Sequence, residues 1–145
     1  MIGDGPERTS AEWIVREKAL TSDVIFLGKQ GHVQNLLNCA DVLLLPSELE
    51  SFGLAALEAM ACAVPPICSR VGGLPEVIRD GVEGYLVPVG DVRSMAARAL
   101  DILTQRDRRE QMGRAARERA LADFCTDKII PLYESLYQRV LNTSR

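Results

Sequence analysis

Two glutamates with seven residues between them, Glu50 and Glu58, flank the point where the sequence passes from loop to helix. An apolar run ends at Leu45, a short loop carries Glu48 and Glu50, and a helical pattern opens near Phe52 or Gly53. The first amides of a helix have no intrahelical acceptor, so those of Phe52, Gly53 and Leu54 are free to bind an anion. Gly53 lets a ligand approach the main chain. Each carboxylate can accept two sugar hydroxyls. An anion cradle beside two hydroxyl acceptors suits a sugar diphosphate. The spacing alone fits a plainer reading equally well, with Glu50 a charge favoured by the helix dipole and Glu58 a surface residue.

Other candidates are placed by position. Lys29 and Gln30 follow the apolar run Val24-Ile25-Phe26-Leu27, and ligands of open α/β sheets bind at the carboxyl ends of strands. Gly3-Asp4-Gly5-Pro6 and Val71-Gly72-Gly73-Leu74-Pro75-Glu76 each follow a strand-like run and precede a helix. Both can bring main chain against a phosphate, and both are equally explained as strand-to-helix turns. The single histidine, His32, reads as a capping or surface residue.

The elements that must position these residues alternate. Val24–Leu27, Val42–Leu45, Ile67–Ser69 and Tyr85–Val87 read as strands buried on both faces. Helical patterns cover about Ser10–Leu20, Val33–Ala40, Gly53–Ala63 and Pro75–Arg79. Strand and helix in alternation imply an α/β fold, a Rossmann-like parallel sheet with helices on both faces. A doubly wound sheet has a strand and helix before the opening Met1-Ile2-Gly3, so the sheet reads as incomplete at its N-terminus. From Asp91, a plausible N-cap, only helices follow. Met95, Ala99, Ile102 and Leu103 share one face; the arginine-rich Arg106–Asp123 reads as a solvated helix; Ile129, Tyr133, Leu136 and Val140 form a stripe suited to core contact. Residues 1–90 are thus expected to form a partial Rossmann-like domain, for which the resemblance given below implies nucleotide-sugar binding, and residues 91–145 helices packing on it.

Composition sets the bounds. In 145 residues, 47% are hydrophobic and 26% charged, the balance of a globular chain with a real core. A net charge of -3 gives no attraction to nucleic acid or an anionic membrane. No apolar run is long enough for a membrane span, and the N-terminus lacks a signal-peptide pattern. Cys39, Cys62, Cys68 and Cys125 form no metal-ligand spacing and read as buried reduced thiols, consistent with a cytoplasmic protein.

The stretch from Pro46 to Ala61 resembles the E-x7-E motif of glycosyltransferase family 4. Gly3-Asp4-Gly5-Pro6-Glu7, Gly72-Gly73-Leu74-Pro75-Glu76 and Gly81-Val82-Glu83-Gly84-Tyr85-Leu86-Val87 match further landmarks in the same order. Within the family, Val24–Gln30 and Ser47–Leu54 are most similar to the members that transfer N-acetylglucosamine to L-malate in bacillithiol biosynthesis. The resemblance implies the C-terminal, donor-binding domain of a retaining glycosyltransferase of the B fold, with UDP-N-acetylglucosamine as donor and no metal or other cofactor. It implies that Glu50 contacts the donor sugar as the catalytic residue, that Phe52, Gly53 and Leu54 lie near sugar and diphosphate, and that Glu58 binds the ribose. Lys29 and Gln30 would lie near the uracil. In the family the basic pair that grips the diphosphate, and the N-terminal acceptor domain, lie upstream of Met1. This chain is therefore expected to be inactive alone and to self-associate through an unpaired sheet edge. Glycine is usual at the position of Ala63. Two other readings fit the residues: a different family 4 hexosyltransferase, or a stand-alone, non-catalytic nucleotide-binding module.

Overall fold

The computed structural model describes residues 1–143. The chain divides into two compact units, Met1–Val33 and Gln34–Arg145.

The first unit holds one helix, α1 (Arg8–Glu17). It stops short of the expected Leu20 because Ala19 turns left-handed at φ 53°. The amide of Ala19 bonds the Arg16 carbonyl and that of Leu20 the Val15 carbonyl, a Schellman closure built on alanine rather than glycine. Val24–Leu27 forms no strand of the sheet. Leu27 donates to the Met1 carbonyl and Gly3 to that of Gly28, while Ile25 is 67% exposed. The Gly3 bond falls on Gly28, one residue beyond the register that the Leu27 bond sets, so no regular ladder forms.

The second unit takes up the chain at Gln34, within α2 (Val33–Leu37), whose last turns tighten as Cys39 and Ala40 donate three residues back. Three parallel strands follow, β1 (Leu43–Leu45), β2 (Pro66–Ser69) and β3 (Tyr85–Val87), in the order β1-β2-β3. Leu43 pairs with Pro66, and Ile67 with Tyr85. Between them lie α3 (Leu54–Ala61) and α4 (Leu74–Val77); α5 (Val92–Thr104), α6 (Arg106–Asp123) and α7 (Thr126–Thr143) complete the unit.

Alternation along the strands sends side chains to two separate cores. Cys68 and Leu86 face one way, into a cluster with Ala56, Met60, Leu74 and Ala116 from the helices. Ile67, Tyr85 and Val87 face the other, onto Met95, Ile102 and Met112. Helices therefore cover both faces of the parallel sheet, as the alternation of elements predicts. Each fully buried large side chain, such as Met60, Ile67 or Ile102, contributes about 1.5–3 kcal/mol. Central β2 and neighbouring β3 are buried throughout, whereas β1 leaves Leu44 47% exposed. Asp91 caps α5 as expected, accepting from the Ser94 amide at 3.0 Å and hydroxyl at 2.7 Å.

Two helical expectations change. The arginines of α6 are not merely a solvated face. Arg117 donates to the Ala61 carbonyl at 2.7 Å, and Arg119 to those of Val77 and Glu76 at 2.9 and 2.8 Å, so two of them cap the carboxyl ends of α3 and α4. Arg108 reaches Asp101 and Tyr85, and Arg109 reaches Asp41. The buried stripe of α6, Met112, Gly113, Ala116 and Ala120, lies between these arginines, and its mostly small residues let α3 approach closely. In α7 the expected core stripe is not buried: Tyr133, Leu136 and Val140 are exposed and Ile129 is half-buried. Periodicity sets which side of a helix is apolar, not what covers it.

Candidate functional site

The loop from Pro46 to Gly53 leaves the carboxyl end of β1 and feeds α3. Gly53 is the N-cap, held at φ 101°, a conformation that favours glycine. The first intrahelical bond runs from the Leu57 amide to the Gly53 carbonyl at 3.0 Å. The amides with no intrahelical acceptor are then those of Gly53, Leu54, Ala55 and Ala56. Ala56 is fully buried in the core, so its amide faces no ligand, whereas Ala55 is exposed; an N-cap set at the glycine itself, rather than before it, brings Ala55 into the set.

Glu50 sits half-buried at the start of this cradle. Behind it lies Cys68, next to last in β2, whose thiol is pushed up to about 12 by burial and then by the charge of Glu50. The loop after β2 passes beneath, with the Gly73 amide donating to the Glu50 carbonyl at 3.3 Å. Phe52 lies one residue ahead of the N-cap and sets its ring edge-on to Phe124, 5.9 Å between centroids at 72°. Such a pair adds about 0.5–1.5 kcal/mol beyond burial. Phe52, Leu54, Leu57, Phe124, Ile129 and Tyr133 line an apolar recess of about 480 Å³ beside the helix start. A smaller hollow of about 200 Å³ lies over the strand ends, between Pro46, Glu48, Ser69, Gly90 and Asp91.

This arrangement, main-chain donors beside a half-buried carboxylate at the carboxyl end of a parallel sheet, can hold an anion and a hydroxylated group together. The family model described as glycosyl transferases group 1 matches residues 1–119. The chain belongs to this glycosyltransferase family. It is similar to N-acetyl-alpha-D-glucosaminyl L-malate synthase of Bacillus anthracis, 45% identical over all of the chain and 38% of that protein. Among solved structures it resembles sucrose-phosphate synthase from Thermosynechococcus elongatus, with a TM-score of 0.90 and 32% identity, over 98% of this chain and 38% of that one. Anabaena HepE in complex with UDP-glucose shares the fold at a TM-score of 0.86 and 23% identity, over 94% of this chain and 40% of that one. The chain thus spans about two fifths of the length of these relatives.

Within this glycosyltransferase chain the structure brings Glu50, Phe52, Gly53 and Leu54 together at one helix start. Glu58 lies in the second turn of α3 with its side chain exposed. Lys29 and Gln30 belong to the first unit. Gln30 turns back to donate to the Leu27 carbonyl at 2.6 Å, and Lys29 lines a shallow hollow with Asp4 and Gly5. His32 is exposed. All four cysteines are free, but only Cys68 is buried. Cys39, Cys62 and Cys125 sit at helix ends, where the chain turns outward, and the expectation of four buried thiols fails there.

Two features stayed hidden in the sequence. The pair Gly72-Gly73 packs against the Glu50–Phe52 main chain, which sequence alone could not separate from an ordinary turn. Glu83 is fully buried, its carboxylate accepting from the Arg79 amide at 2.8 Å and from the Arg79 guanidinium, and so braces the turn before β3. No described helix is long and apolar enough to cross a membrane.

Proposed function

We propose that this chain holds the donor sugar and diphosphate in a retaining glycosyltransferase that uses a UDP-sugar, UDP-N-acetylglucosamine, and that the whole protein transfers the sugar to L-malate. The observation carrying this reading is the half-buried Glu50 in the loop that feeds α3, just ahead of the helix start where the amides of Gly53, Leu54 and Ala55 lack intrahelical acceptors. An anion on those amides places its attached sugar within reach of Glu50. Glu50 accepts hydroxyls of the transferred sugar, Phe52 flanks it, and the amides of Gly53 and Leu54 receive negative charge that builds on the leaving diphosphate. Glu58, exposed in the second turn of α3, takes the ribose hydroxyls. The 45% identity to N-acetyl-alpha-D-glucosaminyl L-malate synthase over the whole chain supports the donor and acceptor. A second reading, another hexosyl donor and acceptor, is favoured by the likeness to sucrose-phosphate synthase.

The test is a donor and acceptor panel on the full-length protein. Turnover with UDP-N-acetylglucosamine and L-malate, giving a product with the donor's α configuration by NMR, is the expected result. Glu50→Gln should lower kcat by on the order of 100-fold with the fold intact. Turnover only with another sugar nucleotide moves the assignment to the second reading. An inverted product, or an unaltered rate in Glu50→Gln, overturns the mechanism.

A further inference from the structure

We propose that the turn Gly72-Gly73 is a positioning device for Glu50, setting the height of its carboxylate through main-chain contact alone. The inference rests on the reading of Glu50 as the donor-sugar contact. β1 and β2 are adjacent and parallel, so the loops leaving their carboxyl ends start side by side. What then fixes their separation is the bulk between them.

That bulk has been removed in register. A β-carbon on Gly72 would lie 1.5 Å from the Glu50 carbonyl oxygen. One on Gly73 would lie 2.6 Å from the Ser51 carbonyl oxygen and 2.9 Å from the Phe52 α-carbon. The next residue, Leu74, occupies the space a β-carbon on Gly53 would need, its Cδ2 2.6 Å away. Three consecutive residues of one loop therefore meet, in order, the run from Glu50 to Gly53 in the other. The atoms met by the two paired glycines are main chain, which cannot rotate aside as a side-chain end can. The hydrogen bond from the Gly73 amide to the Glu50 carbonyl ties the loops at this contact. A methyl group here must lift the Glu50 loop, and displacing a substrate-positioning group by about 1 Å can cost on the order of 100-fold in rate.

Gly73→Ala tests this cleanly. Gly73 has φ -77°, which alanine adopts without strain, so only the contact changes. The variant is made in the full-length protein alone and together with Glu50→Gln. The expected loss in kcat/KM is about tenfold in the otherwise unaltered protein and less than about twofold beside Glu50→Gln, since a positioning residue has nothing left to position. Gly81→Ala, at φ +79° in open space, imposes strain away from the loop and should keep kcat/KM within about twofold. Equal losses from Gly73→Ala in both backgrounds, or a tenfold loss in Gly81→Ala, would overturn the proposal and leave Glu50's own role standing. An unaltered rate in Glu50→Gln alone removes that role and the proposal with it. Should Gly73→Ala melt below the assay temperature, Val71→Ala, which thins the packing under the same turn, carries the cycle with the same two outcomes.

Discussion

Gly72 lies directly under Glu50: a β-carbon on it would fall 1.5 Å from the Glu50 carbonyl oxygen, at a backbone φ of +54°. Both the contact and the left-handed conformation exclude a side chain. Gly72→Ala is therefore expected to lower unfolding stability by about 2–4 kcal/mol, strain and overpacking together. Urea unfolding measures it. A loss below about 1 kcal/mol would mean that the two loops part freely.

Ala63 offers the opposite case. It closes α3 at φ 60°, with its amide on the Met60 carbonyl and the Val64 amide on the Ala59 carbonyl, and its methyl group is exposed. A left-handed alanine costs about 1–2 kcal/mol, partly offset by the greater freedom of an unfolded glycine. Ala63→Gly should raise stability by about 0.5–1 kcal/mol, visible as a higher urea midpoint at unchanged slope. A lower midpoint would refute the strain.

Asp91 gives the stability a pH dependence. The Ser94 hydroxyl, then the Ser94 amide, hold its carboxyl below the ordinary aspartate value. The folded state thus takes up the proton less readily than the unfolded chain, so the contribution is complete above the ordinary range and lost as pH falls through the folded value. Asp91→Ala should lower Tm by about 3–5 °C at neutral pH. That gap should close as pH falls through the lowered folded-state value of the carboxyl, and a gap independent of pH would show that the carboxylate is not the cap.

Cys68 should be the silent thiol. Burial, then the charge of Glu50, lift it from 9.0 to about 12, so in the folded protein it stays protonated where exposed Cys39 reacts. Mass spectrometry after brief alkylation at mild alkaline pH should find Cys39 modified and Cys68 intact until the chain unfolds. Because the folded state keeps a proton that the unfolded chain gives up, stability should fall as pH rises from about 9 toward about 12. Alkylation of Cys68 at the rate of Cys39 would show the Glu50 loop opening in the native state.

Local features were legible in advance. The strands at Leu43–Leu45, Pro66–Ser69 and Tyr85–Val87, the Asp91 cap and the span of α6 follow from short-range patterns that tertiary contacts reinforce. The ends of α1 and α3 were overrun because the residues that close them, Ala19 and Ala63, carry no glycine signal. Val24–Leu27 has strand composition, yet a strand exists only through its partner, and the register with Met1–Gly3 breaks.

The order and type of residues alone determined the parallel α/β plan and drew attention to the run from Glu50 to Glu58, because strand alternation, helix starts and carboxylate chemistry are local. Tertiary structure decided what holds that run in place. Gly72 and Gly73 are indistinguishable from any strand-to-helix turn until the Glu50 main chain is found against them. Arg117 and Arg119 read as surface charge until the carbonyls of α3 and α4 come within reach. The physical reason is the same in each case: a close contact belongs to two segments, and neither segment's sequence records the distance to the other.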